Sequence, residues 1–120
     1  FDTAIPGSTV YVKAGIYYEK ATLNVEGTPK EGFITFRNFD KDHVIISGEG
    51  VANHPASYTD DIIFIDSKSY VILQGFEIQD VDALECSGIR YTGSGSHVEI
   101  RNNIIHNIRG GGQNGGAMGI

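Results

Sequence analysis

The feature that most limits what this chain can fold into is a repeat. His97–Ile108, HVEIRNNIIHNI, overlays Tyr70–Val81, YVILQGFEIQDV, when slid back by 27 residues (98 − 71). Val98 then sits on Val71, Ile100 on Leu73, Asn102 on Gly75, Ile105 on Ile78 and Ile108 on Val81. A second slide of the same length (71 − 44) brings in HVIISGEGV, with Val44, Ile46, Gly48 and Val51 at the matching places. Ile62–Ile65 stands 27 residues (89 − 62) before Ile89–Thr92, and each is followed by a small-residue turn, Asp66–Ser69 or Gly93–Ser96. Gly88-Ile89 recurs as Gly119-Ile120 at a spacing of 31 (120 − 89), which implies about four inserted residues.

Each unit therefore reads as a strand, a tight turn, a second strand, a Gly or Asn corner, a third short strand and a longer loop. The loops are Ala52–Asp61, Asp80–Gly88 and Arg109–Gly119. One strand alone carries too few inward apolar residues to make a core. Stacking equivalent strands about 4.8 Å apart pairs their backbones and aligns like residues in columns. Val44, Val71 and Val98 are expected in one inward column and Ile46, Leu73 and Ile100 in another, with Ile72, Glu99, Gln74 and Arg101 facing out. Parallel pairing ordinarily needs helical crossovers, and no 3.6-residue periodicity supplies them. A three-faced coil returns the chain to its first sheet without them. The fold expected is all-β: a right-handed parallel β-helix, the hand following the general crossover preference. A β-sandwich, the rival, needs hairpin turns, and Asn-Gly occurs once, at Asn114-Gly115.

About four coils fit, all in one partial domain, 1–120. The chain opens where a capping helix would be ending (Phe1–Ile5) and stops at Met118-Gly119-Ile120, where a strand should begin. A β-helix truncated at both ends is the expectation, with open coil edges that invite self-association.

Composition narrows the partners. The net charge is −6 and glycine numbers 16 in 120 residues, about twice average usage. An acidic chain disfavours nucleic acid, whose phosphates need a basic face. No apolar run reaches membrane-spanning length, and no signal-peptide pattern occurs in these residues. Cys86 is the one cysteine, read as a small buried hydrophobe.

The segments AIPGSTVYVKAGIYYEKATL, GFITFRNFDKDHVIISGEG, YVILQGFEIQD and GIRYTGSGSHVEIRNNIIHN, taken in order, resemble the opening coils of secreted pectate-lyase-like β-helix proteins. The similarity is to the pectate lyases of polysaccharide lyase family 9 and the alginate and chondroitin lyases of family 6, with Ser8 where the family usually has Asp. The resemblance implies a secreted bacterial-type protein acting on acidic polysaccharide by β-elimination, with calcium as cofactor. It also places the family's catalytic Lys and calcium-binding acids in later coils, so these 120 residues alone are expected to be inactive. The alternatives are a glycoside hydrolase on the same fold and a non-catalytic carbohydrate-binding or structural β-helix.

Several residues are candidates for chemistry. Asp80, Asp82 and Glu85 set three carboxylates within six residues, oxygen ligands suited to a hard cation. Asp60-Asp61 and Asp40/Asp42 are weaker versions of the same pattern. His106 and Arg109 are the candidates for a direct catalytic role, and Arg101 and Glu99 share an exposed face that suits carbohydrate. Tyr58, Tyr70 and Tyr91 are aromatic candidates for stacking on sugar rings. Against each stands a structural role: a solvated loop for the acids, inter-coil stacking for the tyrosines, and turn-bonding for Asn102-Asn103.

Overall fold

The structure is a computed structural model, and it describes residues 4–110 and 116–120, with the backbone alone at 53–59, 84 and 116. Phe1–Thr3, where the capping helix is expected, lie outside the described residues. The protein is a parallel β-solenoid of about four turns, and no helix occurs among the described residues. In particular, none is long and apolar enough to cross a membrane.

The first coil holds β1 (Thr9–Val12), β2 (Gly15–Tyr17) and β3 (Ala21–Thr22). The second holds β4 (Ile34–Asn38), β5 (Val44–Ser47) and β6 (Asn53–Asp66). The third holds β7 (Val71–Gln74) and β8 (Phe76–Thr92), and the fourth β9 (Val98–Arg101), β10 (Ile104–Gly110) and β11 (Gly116–Met118). One sheet runs β1-β4-β7-β9. The other carries β2, β5, β8, β6 and β3, with β10 and β11 also on β8. Among the described residues all the strand pairs are parallel, and the one antiparallel contact is an isolated bridge, Thr28–Gly32.

Apolar ladders make the core. Val10, Phe36, Leu73 and Ile100 stand in register on the first face, beside Ile34, Val71 and Val98. Ile46, Ile78 and Ile105 do the same on the second. Ile34, Phe36, Val71, Leu73 and Ile78 are fully buried and Ile46 nearly so, whereas Val10, Val98, Ile100 and Ile105 are half-buried. Each such side chain stabilises the fold by about 1.5–3 kcal/mol on full burial.

The register corrects several expectations. The 27-residue slide holds between coils three and four, where Val71 pairs Val98 and Ile78 pairs Ile105. It fails between coils two and three. Val71 sits on Ile34, while Val44 pairs Phe76 and Ile46 pairs Ile78. The second-coil counterpart of VILQ is thus ITFR, not VIIS. The reason is turn length. Phe39–His43 separates β4 from β5, whereas Gly75 alone separates β7 from β8. Ile63 pairs Ile89 at a spacing of 26 (89 − 63), one less than read from the sequence. The spacing of 31 holds, with Ala117 on Cys86 and Met118 on Ser87. Much of what reads as loop is strand, because β6 and β8 run through the corners and merge two expected strands. Ile72, expected to face out freely, is 8% exposed, flanked along the ladder by Thr35 and Glu99.

The corners have specific residues for physical reasons. Asn102 has φ 55°, a left-handed conformation that Asn tolerates, and it is exposed. Its neighbour Asn103 makes the inward bonds: Oδ1 accepts from Phe76 N at 2.9 Å and Nδ2 donates to Leu73 O at 3.1 Å. Gly75, with φ 83°, has no room for a Cβ, which would run into Asn38 Oδ1. At another corner Tyr70 and His97, both left-handed, stack their rings at 4.5 Å and 7°. Phe33 meets Tyr70 edge-on at 5.4 Å.

Candidate functional site

Asp80 and Asn107 occupy the corner at which β8 and β10 pass from the second face to the third. Both have left-handed backbones, φ 64° and 56°. Short side chains that bond locally suit that conformation. Donors from three successive coils hold the Asp80 carboxylate. Ser47 Oγ donates to Oδ2 at 3.4 Å, Gln79 Nε2 to Oδ2 at 3.0 Å and Asn107 Nδ2 to Oδ1 at 3.3 Å.

Around this corner lies a hollow of about 250 Å³ bordered by Glu49, Asp80, Val81, Asp82, Asn107 and Arg109. The solenoid assembles it. Glu49 comes from the turn after β5, Asp80 and Asp82 from β8, and Asn107 and Arg109 from β10. Arg109 stacks directly on Asp82 in the ladder. It is exposed and makes no ion pair among the described residues. Three carboxylates and one guanidinium in a small concavity can grip a ligand that carries both hydroxyls and a charged group.

Two of the three expected acids meet here, and the third does not. Glu85 borders a different hollow, of about 570 Å³, with Cys86, Ser87, Arg90 and Met118. No three His, Cys, Asp or Glu side chains among the described residues converge as a metal-binding group. The oxygen donors at the corner are of the type calcium takes.

His106 lies one strand position from the corner and is engaged elsewhere. Its Nε2 meets Glu77 Oε2 at 2.9 Å, and His43 Nε2 meets Glu77 Oε1 at 2.7 Å. The hydrogen bond to Glu77 raises the His106 pKa, and the bonds from His106 and then His43 lower that of Glu77. Arg101 and Glu99 lie side by side on the exposed face of the first sheet, 3.6 Å apart and each about half exposed. That pair is screened by solvent and contributes little to stability.

The remaining candidates have structural partners. Tyr70 is committed to its ring stack. Tyr91 packs against the core and donates to Lys68 O at 3.4 Å, and the Tyr58 side chain lies outside the described residues. Cys86 is buried, and burial pushes its thiol pKa up. Asp42 Oδ2 accepts from Ala14 N at 3.0 Å.

Sequence reasoning underrated Asp60 and Asp61. Lys20 Nζ reaches Asp60 Oδ1 at 2.7 Å, and Asp60 is 7% exposed. Asp61 accepts from Ser87 Oγ and, at 3.0 Å, from Arg90 Nε. These bonds tie coils one to three together on the third face. The available signal was the pair of aspartates leading directly into Ile62-Ile63, charges placed beside a buried apolar run.

The chain is 38% identical over 123 aligned residues to the uncharacterized protein YwoF of Bacillus subtilis (strain 168). The match takes in 98% of this chain and 25% of that protein, so the chain spans about a quarter of the relative's length. No protein-family profile and no solved structure matches the chain.

Proposed function

We propose that the protein is a secreted, pectate-lyase-like β-helix enzyme that cleaves uronate-containing polysaccharide of the pectate or alginate type by β-elimination. The observation that carries this reading is Arg109, without an ion-pair partner among the described residues, beside Asp82 at a concave, hydroxyl-accepting corner of a parallel β-solenoid. A uronate offers hydroxyls to the acids and a carboxylate to the guanidinium. In the elimination a base removes the C5 proton. The electron pair forms the C4–C5 double bond, the C4–O bond breaks, and the departing oxygen takes a proton. A guanidinium stays protonated in proteins, so Arg109 serves to neutralise the uronate carboxylate and thereby acidify C5. His106 binds Glu77 through its Nε2, so it is not assigned as the base. The resemblance to lyases puts the base in coils beyond these residues. Arg101 and Glu99 extend the sugar-contacting surface on the first sheet. Calcium is proposed as the cofactor, because a cation bound to the uronate carboxylate would reconcile the protein's −6 charge with an anionic polymer.

The carboxylates at the corner favour a second reading, glycoside hydrolysis by an acid pair. One experiment separates the two. The protein at its natural length is incubated with pectate, alginate and chondroitin, with and without calcium. Ultraviolet absorbance of an unsaturated product from one of them is expected. New reducing ends without that absorbance would replace the lyase reading with the hydrolase one, and neither product would leave a binding or structural β-helix.

A further inference from the structure

A third concavity, which shares no lining residue with the corner of Asp80, lies on the flank between the first and second faces. It holds about 470 Å³, and turn length creates it. The second coil turns through five residues, Phe39–His43, the third through Gly75 alone and the fourth through Asn102-Asn103. The long turn therefore stands as a wall beside two short ones. Nothing bulkier than glycine fits at Gly75, because Asn38 Oδ1 fills the space a Cβ would need. Asn38 is fixed in turn by donating Nδ2 to Asp42 O at 3.1 Å. The floor of the groove is thus preorganised.

The groups along it are a matched set. Arg37 and Lys41 border the groove, and neither has a carboxylate partner among the described residues. Arg37 makes one bond, Nε to Asn38 O at 3.4 Å, which leaves the end of the guanidinium open. Asp40 and Asp42 also border the groove. Asp42 has turned an oxygen to Ala14 N, and His43 has turned its Nε2 to Glu77. Gln74 lies in register on Arg37, and Asn102 is exposed. Two cations with no carboxylate partner among the described residues, beside two carboxamides and the carboxylates of Asp40 and Asp42, suit a small ligand with one carboxylate and several hydroxyls.

We propose that this groove binds one carboxylate-bearing sugar residue of an acidic polysaccharide, with Arg37 and Lys41 on the carboxylate and Gln74 and Asn102 on hydroxyls. The choice of a sugar rests on the function proposed above, whereas the anion site rests on the groove itself. The site lies apart from the acidic corner and holds substrate without reacting with it.

Titration of the protein at its natural length with galacturonate, mannuronate and glucuronate trisaccharides, and with a neutral galactose trisaccharide, tests this. Binding is read by calorimetry and by backbone amide shifts at Gln74, Gly75 and Asn102. One acidic trisaccharide is expected to bind, more weakly at higher salt, with the shifts confined to the groove. Arg37→Gln and Lys41→Gln should each weaken it about tenfold, the scale of one charge-assisted hydrogen bond. Lys41 is on an exposed turn, so its variant tests the site even if Arg37→Gln fails to fold. Equal binding of the neutral sugar, unchanged affinity in Lys41→Gln, or no binding of any trisaccharide would overturn the proposal. A protein that cleaves acidic polysaccharide yet shows no shifts at the groove loses this site and keeps the lyase reading. Groove binding without any unsaturated product does the reverse.

Discussion

His106 and Glu77 face each other across adjacent coils, Nε2 to Oε2 at 2.9 Å, and His43 closes on the same carboxylate from the other side. Three coils are thereby clamped by one titratable cluster. The folded state raises the pKa of His106, so its contribution is full below the unfolded value near 6.5 and fades as pH rises through the folded one. The folded state lowers the pKa of Glu77, so its contribution is full above the unfolded value near 4.5 and fades as pH falls through the folded one. The clamp is therefore strongest between those two values. The Tm difference between wild type and Glu77→Gln should peak in that window and shrink as the pH is raised above neutrality. A difference that does not vary with pH would contradict the clamp.

The turn at Asn102-Asn103 separates two roles that look alike in sequence. Asn103→Ala removes both partners of Phe76 N and Leu73 O and should cost about 1–3 kcal/mol. Asn102→Gly relieves a left-handed backbone and should stay within about 0.5 kcal/mol of wild type. Urea unfolding of the two variants checks this, and the reverse order would refute the assignment.

Core position should likewise divide neighbours on one ladder. Leu73→Ala opens a cavity among fully buried residues and is expected to cost about 2–5 kcal/mol. Glu99→Ala, on the exposed face, should change stability by less than about 0.5 kcal/mol. Comparable unfolding midpoints for the two would undo the inward and outward faces.

The parts of this fold legible in the sequence are those where paired residues keep one spacing across the turn, as Gln74 to Glu77 and Arg101 to Ile104 do. Tyr70–Val81 and His97–Ile108 share a period because Gly75 and Asn102-Asn103 keep their strands in step. VIIS and VILQ have nearly the same apolar pattern, but the pattern does not say on which face a strand lies. Only the five-residue turn Phe39–His43 assigns VIIS to the second face. Asp80 and Asp82 were readable as a cluster. Their meeting with Arg109 follows from the same 27-residue spacing (109 − 82) once the coil is accepted. Glu49 was hidden, because its coil is out of period. The bonds of Asp61 to Ser87 and Arg90 depend on side-chain geometry that spacing does not encode.

The most direct measurement is the rate of unsaturated-product formation by the protein at its natural length, wild type against Arg109→Lys. Lysine keeps the charge but loses the planar, two-pronged grip on a carboxylate. Wild type should give absorbing product on pectate or alginate, and the variant a rate about 10²-fold lower, the scale of losing one preorganised electrostatic contact. An unchanged rate in Arg109→Lys, or no absorbing product from wild type on either polymer, would contradict it.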